Sequence, residues 1–166
     1  METEGARTVQ LNNVVKKVGK AADKLGIQPG EEVLAACTTN PRGTMNRILA
    51  KELGGVIGAL AAGRGDRDTP ADGGMAARFP EGQHYLVVTN RRLLACSVST
   101  MSGKPKELVA EWPVDDVLAI ATEAGKLSLP MTIAFTDGTA VGVEAANGTG
   151  GNTLAPAIES LRANTA

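Results

Sequence analysis

The second half of the chain is a succession of short apolar segments separated by tight polar turns, and it closes on one short helix. Tyr85–Thr89 and Leu93–Ser97 flank Asn90-Arg91-Arg92, which reads as a hairpin turn. Ser102-Gly103-Lys104-Pro105 is a second turn, and Glu107–Trp112 is a strand stopped by Pro113. Val117–Thr122 is the next strand. Leu127–Phe135 and Ala140–Ala145 form a hairpin around Asp137-Gly138, the strongest local turn signal in the chain. Leu154, Ile158 and Leu161 then mark one apolar face of a C-terminal helix capped by Asn152 or Thr153. Strands this short must pair with one another, so the pattern predicts a small β-barrel or β-sandwich with a helix at its end.

Composition supports one domain. At 166 residues the chain buries well over half of its unfolded surface without help from disulfides or metal. Hydrophobic residues make up 43% but aromatic ones only 2%, so the core is built from Val, Leu, Ile, Ala and Met. The same scarcity of rings argues against a base-stacking nucleic-acid surface, and a net charge of −1 supplies no general attraction to nucleic acid. Charge is unevenly spread: residues 1–92 carry a balance of +3 and residues 93–166 a balance of −4. Cys37 and Cys96 lie in apolar runs and read as buried free thiols; a disulfide would require their strands to be neighbours. The N-terminus does not read as a secretory signal and no apolar run is long enough to span a bilayer, which together predict a cytoplasmic protein.

The first half is more varied. Residues 6–26 read as an amphipathic helix, with Leu11, Val15, Val18, Ala22 and Leu25 on one face and Lys16, Lys17, Lys20 and Lys24 mostly on the other. Gly26 ends it and Pro29-Gly30 turns the chain. The apolar face has two outlets, the body of the same chain or a second copy in a dimer. Val33–Thr39 reads as the first strand, broken by Asn40-Pro41-Arg42-Gly43. Thr44 then caps a predicted second helix running to about Ala62, in which Gly54, Gly58 and Ala62 share a face. Glycine costs roughly 1 kcal/mol in a helix interior, so something must approach this backbone closely: the barrel, a partner chain or a membrane surface. Residues 63–82 read as a long polar loop.

Seven strands followed by a helix resembles the order of a pleckstrin-homology (PH) domain. Tyr85-Leu86-Val87-Val88-Thr89-Asn90-Arg91-Arg92-Leu93-Leu94 resembles the hairpin of bacterial PH-like and GRAM-like domains, and Glu111-Trp112-Pro113-Val114-Asp115-Asp116-Val117 resembles the segment that follows there. The resemblance covers roughly residues 30–163. It implies an α+β fold: a PH-like seven-stranded antiparallel β-barrel or sandwich with a C-terminal capping helix. Residues 1–29 are then a helical extension, and residues 30–166 the PH-like domain with an inserted Gly-rich helix and loop at about 44–82. PH relatives that bind phosphoinositides use basic residues between the first two strands. Here Arg42, Arg47, Lys51, Arg64, Arg67 and Arg78 are interspersed with acids, so the resemblance does not carry inositide binding over.

No residue cluster in the sequence has the make-up of an active site. The single histidine, His84, starts a strand and reads as a solvated edge residue. One His and two distant Cys do not make a zinc site, and no phosphate-binding glycine loop occurs. No cofactor is expected. Asp115-Asp116 is the one tight carboxylate pair; it binds a cation, shares a proton or, more simply, caps a turn. Arg91 and Arg92, with Arg42 and Arg47, are candidates for holding an anion. The foremost expectation is a non-catalytic protein-binding or scaffold module, its contacts made to a partner or to itself by Leu11, Val15 and Val18 of the first helix and by Leu53, Gly54, Val56, Ile57, Gly58 and Leu60 of the second. A peripheral module for anionic membrane surfaces is the alternative. An enzyme using Asp115 and Asp116 is the weakest reading.

Overall fold

The computed structural model describes residues 14–45, 74–123, 128–146 and 150–165. Helix α1 (residues 14–20) is followed by strand β1 (Val33–Met45), the one-turn helix α2 (Gly74–Ala77) and strands β2 (His84–Thr89), β3 (Arg92–Val98) and β4 (Pro105–Pro113). A 3-10 turn at Val114–Asp116 leads to β5 (Val117–Thr122), β6 (Ser128–Phe135) and β7 (Ala140–Ala146). A second 3-10 turn at Gly151–Thr153 opens helix α3 (Leu154–Thr165). The fold is α+β, with one seven-stranded antiparallel sheet in the order β4-β3-β2-β1-β7-β6-β5. The ladder is open, with β4 and β5 as its two edges, so of the expected barrel or sandwich the sheet does not close into a barrel. Pro105 and Pro113 remove donors at both ends of β4, and at β5 the Arg162 guanidinium of α3 donates to the Val117 carbonyl (2.7 Å).

β1 overturns two expectations. It does not break at Asn40-Pro41. Instead its first half pairs with β2 and its second half with β7, and Thr39 is the hand-over residue, opposite both His84 and Ala145. The register shifts between Pro41 and Gly43. A proline is tolerated at such a bulge because no ladder donor is needed there. Thr44 and Met45, predicted to open a helix, therefore lie in the strand opposite Val141 and Ala140. The rest of the predicted Gly-rich helix lies outside the described residues.

The predicted polar loop is also corrected at its end. Met75 and Ala76 of α2 donate their backbone amides to Asp137 Oδ2 (2.8 Å) and Thr139 Oγ1 (3.1 Å). Ala76 and Phe79 are buried in the main core. That core joins inward residues of all seven strands to Leu154 and Ile158 of α3, and Trp112 lies within it beside Phe79 and Phe135. A second cluster lies on the opposite face of β1–β3, where Ala36, Tyr85, Val87, Leu94 and Cys96 pack against Val18 and Leu25. β2 is consequently buried at all six positions, the mark of a strand covered on both faces. Cys37 belongs to the first cluster and Cys96 to the second, with β2 between their strands. Both thiols are free, and burial pushes each up to about 12.

The start of α3 is held by close approach. A Cβ on Gly151 would lie 2.5 Å from Ala145 Cβ and 3.3 Å from Leu129 Cδ2. Gly151→Ala is expected to lower stability by about 2 kcal/mol through overpacking, read as a lower midpoint in a urea melt.

Candidate functional site

A candidate site among the described residues is a lysine-lined groove between α1 and the turn from β3 to β4. In α1 and the turns that continue it, Lys17, Lys20 and Lys24 step by three and four and so share a face. The opposite face is fixed to the sheet by Val18 and Leu25, both fully buried. Across from α1 the 99–104 turn is tightly bonded. Ser99 N donates to Lys104 O (2.8 Å), Gly103 N donates to Ser99 O (2.8 Å), and Gly103 takes the positive φ of 71° that the turn requires. The Tyr85 hydroxyl donates to Gly103 O at 2.5 Å, fastening the turn to the outer cluster.

Between these walls lies a cavity of about 470 Å³ lined by Lys17, Lys20, Ala21, Lys24, Ser99, Ser102, Lys104, Pro105 and Lys106. Five of the nine lining residues are lysines, and none of them is acidic. The Ser99 and Ser102 hydroxyl oxygens accept backbone amides from Ser102 (3.3 Å) and Lys104 (3.4 Å). Like charges lining one cavity repel one another. Five lysines lining one cavity gain more from a multiply charged anion than from single counterions.

The residues expected to hold an anion are placed differently. Arg92 donates through Nε and Nη2 to the two Glu31 carboxylate oxygens (2.9 Å each), through Nη2 to Gly26 O (2.7 Å) and through Nη1 to Glu111 (2.5 Å). Its guanidinium is thus engaged in tying the end of the helical extension to the hairpin. Arg91 is exposed and donates to Gln28 Oε1 at 3.4 Å. Arg42 lies in β1, where only the backbone is described, and Arg47 lies outside the described residues. Of the predicted partner-binding residues, Val18 is fully buried against the chain's own sheet and Val15 packs on the same cluster. Leu11, Leu53, Gly54, Val56, Ile57, Gly58 and Leu60 lie outside the described residues.

His84 is not the solvated residue that the sequence suggests. It is 6% exposed, its Nδ1 is 2.9 Å from Gly82 O, and its carbonyl accepts Thr39 Oγ1. It begins β2, whereas Asp115 and Asp116 lie in the 3-10 turn anchored beyond the other end of that strand by Val114 N to Arg91 O (3.0 Å). Five residues of strand separate the two ends by roughly 16 Å, so the structure does not bring the histidine to the carboxylates. Asp116 has a structural bond of its own, its carbonyl accepting Thr136 N (3.0 Å).

The helix lysines are visible in the sequence as the polar face of an amphipathic helix. Ser99, Ser102, Lys104 and Lys106 were not legible as their partners, because nothing local says that a turn about 80 residues later faces that helix. No helix among the described residues is long and apolar enough to cross a membrane. No protein-family model matches the chain, and no curated protein matches it.

Proposed function

We propose that the chain is a non-catalytic, cytoplasmic binding module on a PH-like scaffold, and that its ligand is a multiply charged anion held in the lysine-lined groove. The strand order, with β1 shared between two half-sheets and a helix packed at the C-terminus, supports the PH-like reading. The observation that carries the function is the convergence of Lys17, Lys20, Lys24, Lys104 and Lys106 from two elements far apart in sequence on one cavity. Ammonium groups are compact point charges without the fork geometry of guanidinium. The site therefore selects by charge number and size more than by the shape of a single phosphate or carboxylate.

Inorganic tripolyphosphate is the direct probe. Titration calorimetry is expected to show binding that weakens from low to physiological salt, as screening requires. The double variant Lys20→Glu/Lys104→Glu reverses one charge on each wall. Both side chains are exposed, so its stability should stay within about 0.5 kcal/mol of the parent while affinity falls by about tenfold or more. Equal affinity of the folded variant and the parent, or no binding by the parent at low salt, defeats the reading.

A further inference from the structure

We propose that α1 is a hinged cover, and that a multiply charged anion in the groove draws it closed over the outer face of the sheet. The inference rests on the groove being an anion site and adds how occupancy of that site is transmitted to the fold. The cover is fastened unevenly. From Gly26 onward the chain is bonded to the β2–β3 hairpin: Gly26 O accepts Arg92 Nη2 (2.7 Å), Glu32 N donates to Asn90 Oδ1 (3.0 Å) and Asn90 N donates to Glu32 O (3.0 Å). Among the described residues, no hydrogen bond or ion pair joins residues 14–25 to the sheet. That segment is held by apolar packing alone, chiefly through Val18 and Leu25. Gly26, with a φ of 71°, stands at the boundary between the bonded and the unbonded part.

The main core takes nothing from this segment: its first residue in the chain is Ala35, so it stays whole when α1 lifts. The outer cluster does not, because Val18 and Leu25 cover Tyr85, Val87, Leu94 and Cys96. A layer held by one small apolar cluster opens at lower cost than the whole fold. The groove lies across the same joint. Lys17, Lys20 and Lys24 are on the hinged wall and Lys104 and Lys106 on the fixed one, with no acidic residue in the lining. With the groove empty, repulsion between the two walls opposes docking of α1. An anion that touches both walls turns this repulsion into attraction, and it makes both sets of contacts only when α1 is down. A ligand shifts a two-state equilibrium by such a difference in affinity. Anion binding and coverage of the outer face are therefore linked, each favouring the other.

The two thiols report on the two layers, since Cys96 lies under α1 and Cys37 in the main core, both fully buried. The test labels the full chain with N-ethylmaleimide, reads the rate at each cysteine by peptide mass spectrometry, and measures tripolyphosphate binding by calorimetry in parallel. Without anion, Cys96 should react about tenfold or more faster than Cys37, because lifting α1 exposes it without global unfolding. Tripolyphosphate at about ten times its dissociation constant should slow Cys96 by about tenfold, and sodium chloride at matched ionic strength should slow it far less. Equal rates at the two cysteines overturn the inference, because α1 would then open only with the whole fold. Calorimetric binding that leaves the Cys96 rate unchanged, or slows it no more than sodium chloride does, also overturns it while leaving the groove intact as an anion site. Absence of tripolyphosphate binding defeats the anion reading of the groove, and the coupling falls with it.

Discussion

Trp112→Ala should lower the stability of the folded chain by about 4 kcal/mol. Trp112 is fully buried, stacked on Phe79 at 5.6 Å between ring centroids and tilted against Phe135 at 5.3 Å. These rings account for most of the aromatic contact available to a chain with one Trp, one Tyr and two Phe. The cost has two sources. Removing the indole leaves a cavity in an aliphatic core whose strands cannot collapse into it without breaking ladder pairs. It also removes the Nε1–H that donates to Met75 O at 3.0 Å, freeing α2 at the point where it meets the sheet. Trp112→Phe keeps most of the volume and loses the bond, so it should cost about half as much. Urea midpoints of the two variants, read by circular dichroism, check the prediction; equal losses would show that the hydrogen bond and not the volume dominates.

The second large effect is at Arg92. Its partner Glu31 has a side chain 1% exposed, while that of Arg92 is 16% exposed. Besides Arg92, the Glu31 carboxylate accepts the Thr89 hydroxyl (2.6 Å) and the Gln28 amide (3.2 Å). Arg92→Ala leaves a buried carboxylate without its counter-charge, and the expected loss is about 3 kcal/mol. Arg92→Lys keeps the charge but not the fork, and should recover only part of it. The Arg92 hydrogen bonds hold the Glu31 carboxyl down at about 2, against an ordinary 4.5; burial opposes them, and Thr89 and Gln28 assist. The folded carboxyl is therefore the stronger acid. Its contribution is complete above the unfolded value of 4.5 and is lost as pH falls through the folded value of about 2. Allowing for solvent screening, that acid-labile share is about 2 kcal/mol. The parent should lose this increment between those pH values, and Glu31→Gln should show a correspondingly flatter acid limb in denaturant melts across the same range.

Local turn chemistry made much of the sheet legible. The Asn90-Arg91-Arg92 and Asp137-Gly138 turns sit where expected, and β2 to β7 begin and end within about two residues of their predicted bounds. What stayed hidden depends on partners distant in sequence. Pro41 reads as a breaker because the strand that accepts it, β7, arrives a hundred residues later. Residues 74–80 read as loop because their anchors are Asp137, Thr139 and Trp112. The uninterrupted apolar runs Tyr85–Val88 and Leu93–Cys96 did carry a signal for burial on both faces, and so for a layer outside the sheet. They could not say that α1 would supply it. Of the groove, the lysine face of α1 was in view and its opposite wall was not. Arg92 shows the same limit from the other side: an exposed-looking hairpin cation is engaged by Glu31, 61 residues before it.

The divided loyalty of β1 has a consequence for synthesis on the ribosome. Strands β1 to β4 are complete once Pro113 has emerged, and they form a continuous meander. The stretch from Asn40 to Met45 then waits for Ala140, 27 residues further on, or about 1–5 s at ordinary elongation rates. For that interval it is a bare edge on a half-made sheet, open to pairing with another nascent chain. Pro41 and the neighbouring bulge lie within this stretch. The irregularity that hid the strand from sequence reading also makes it a poor template for the wrong partner.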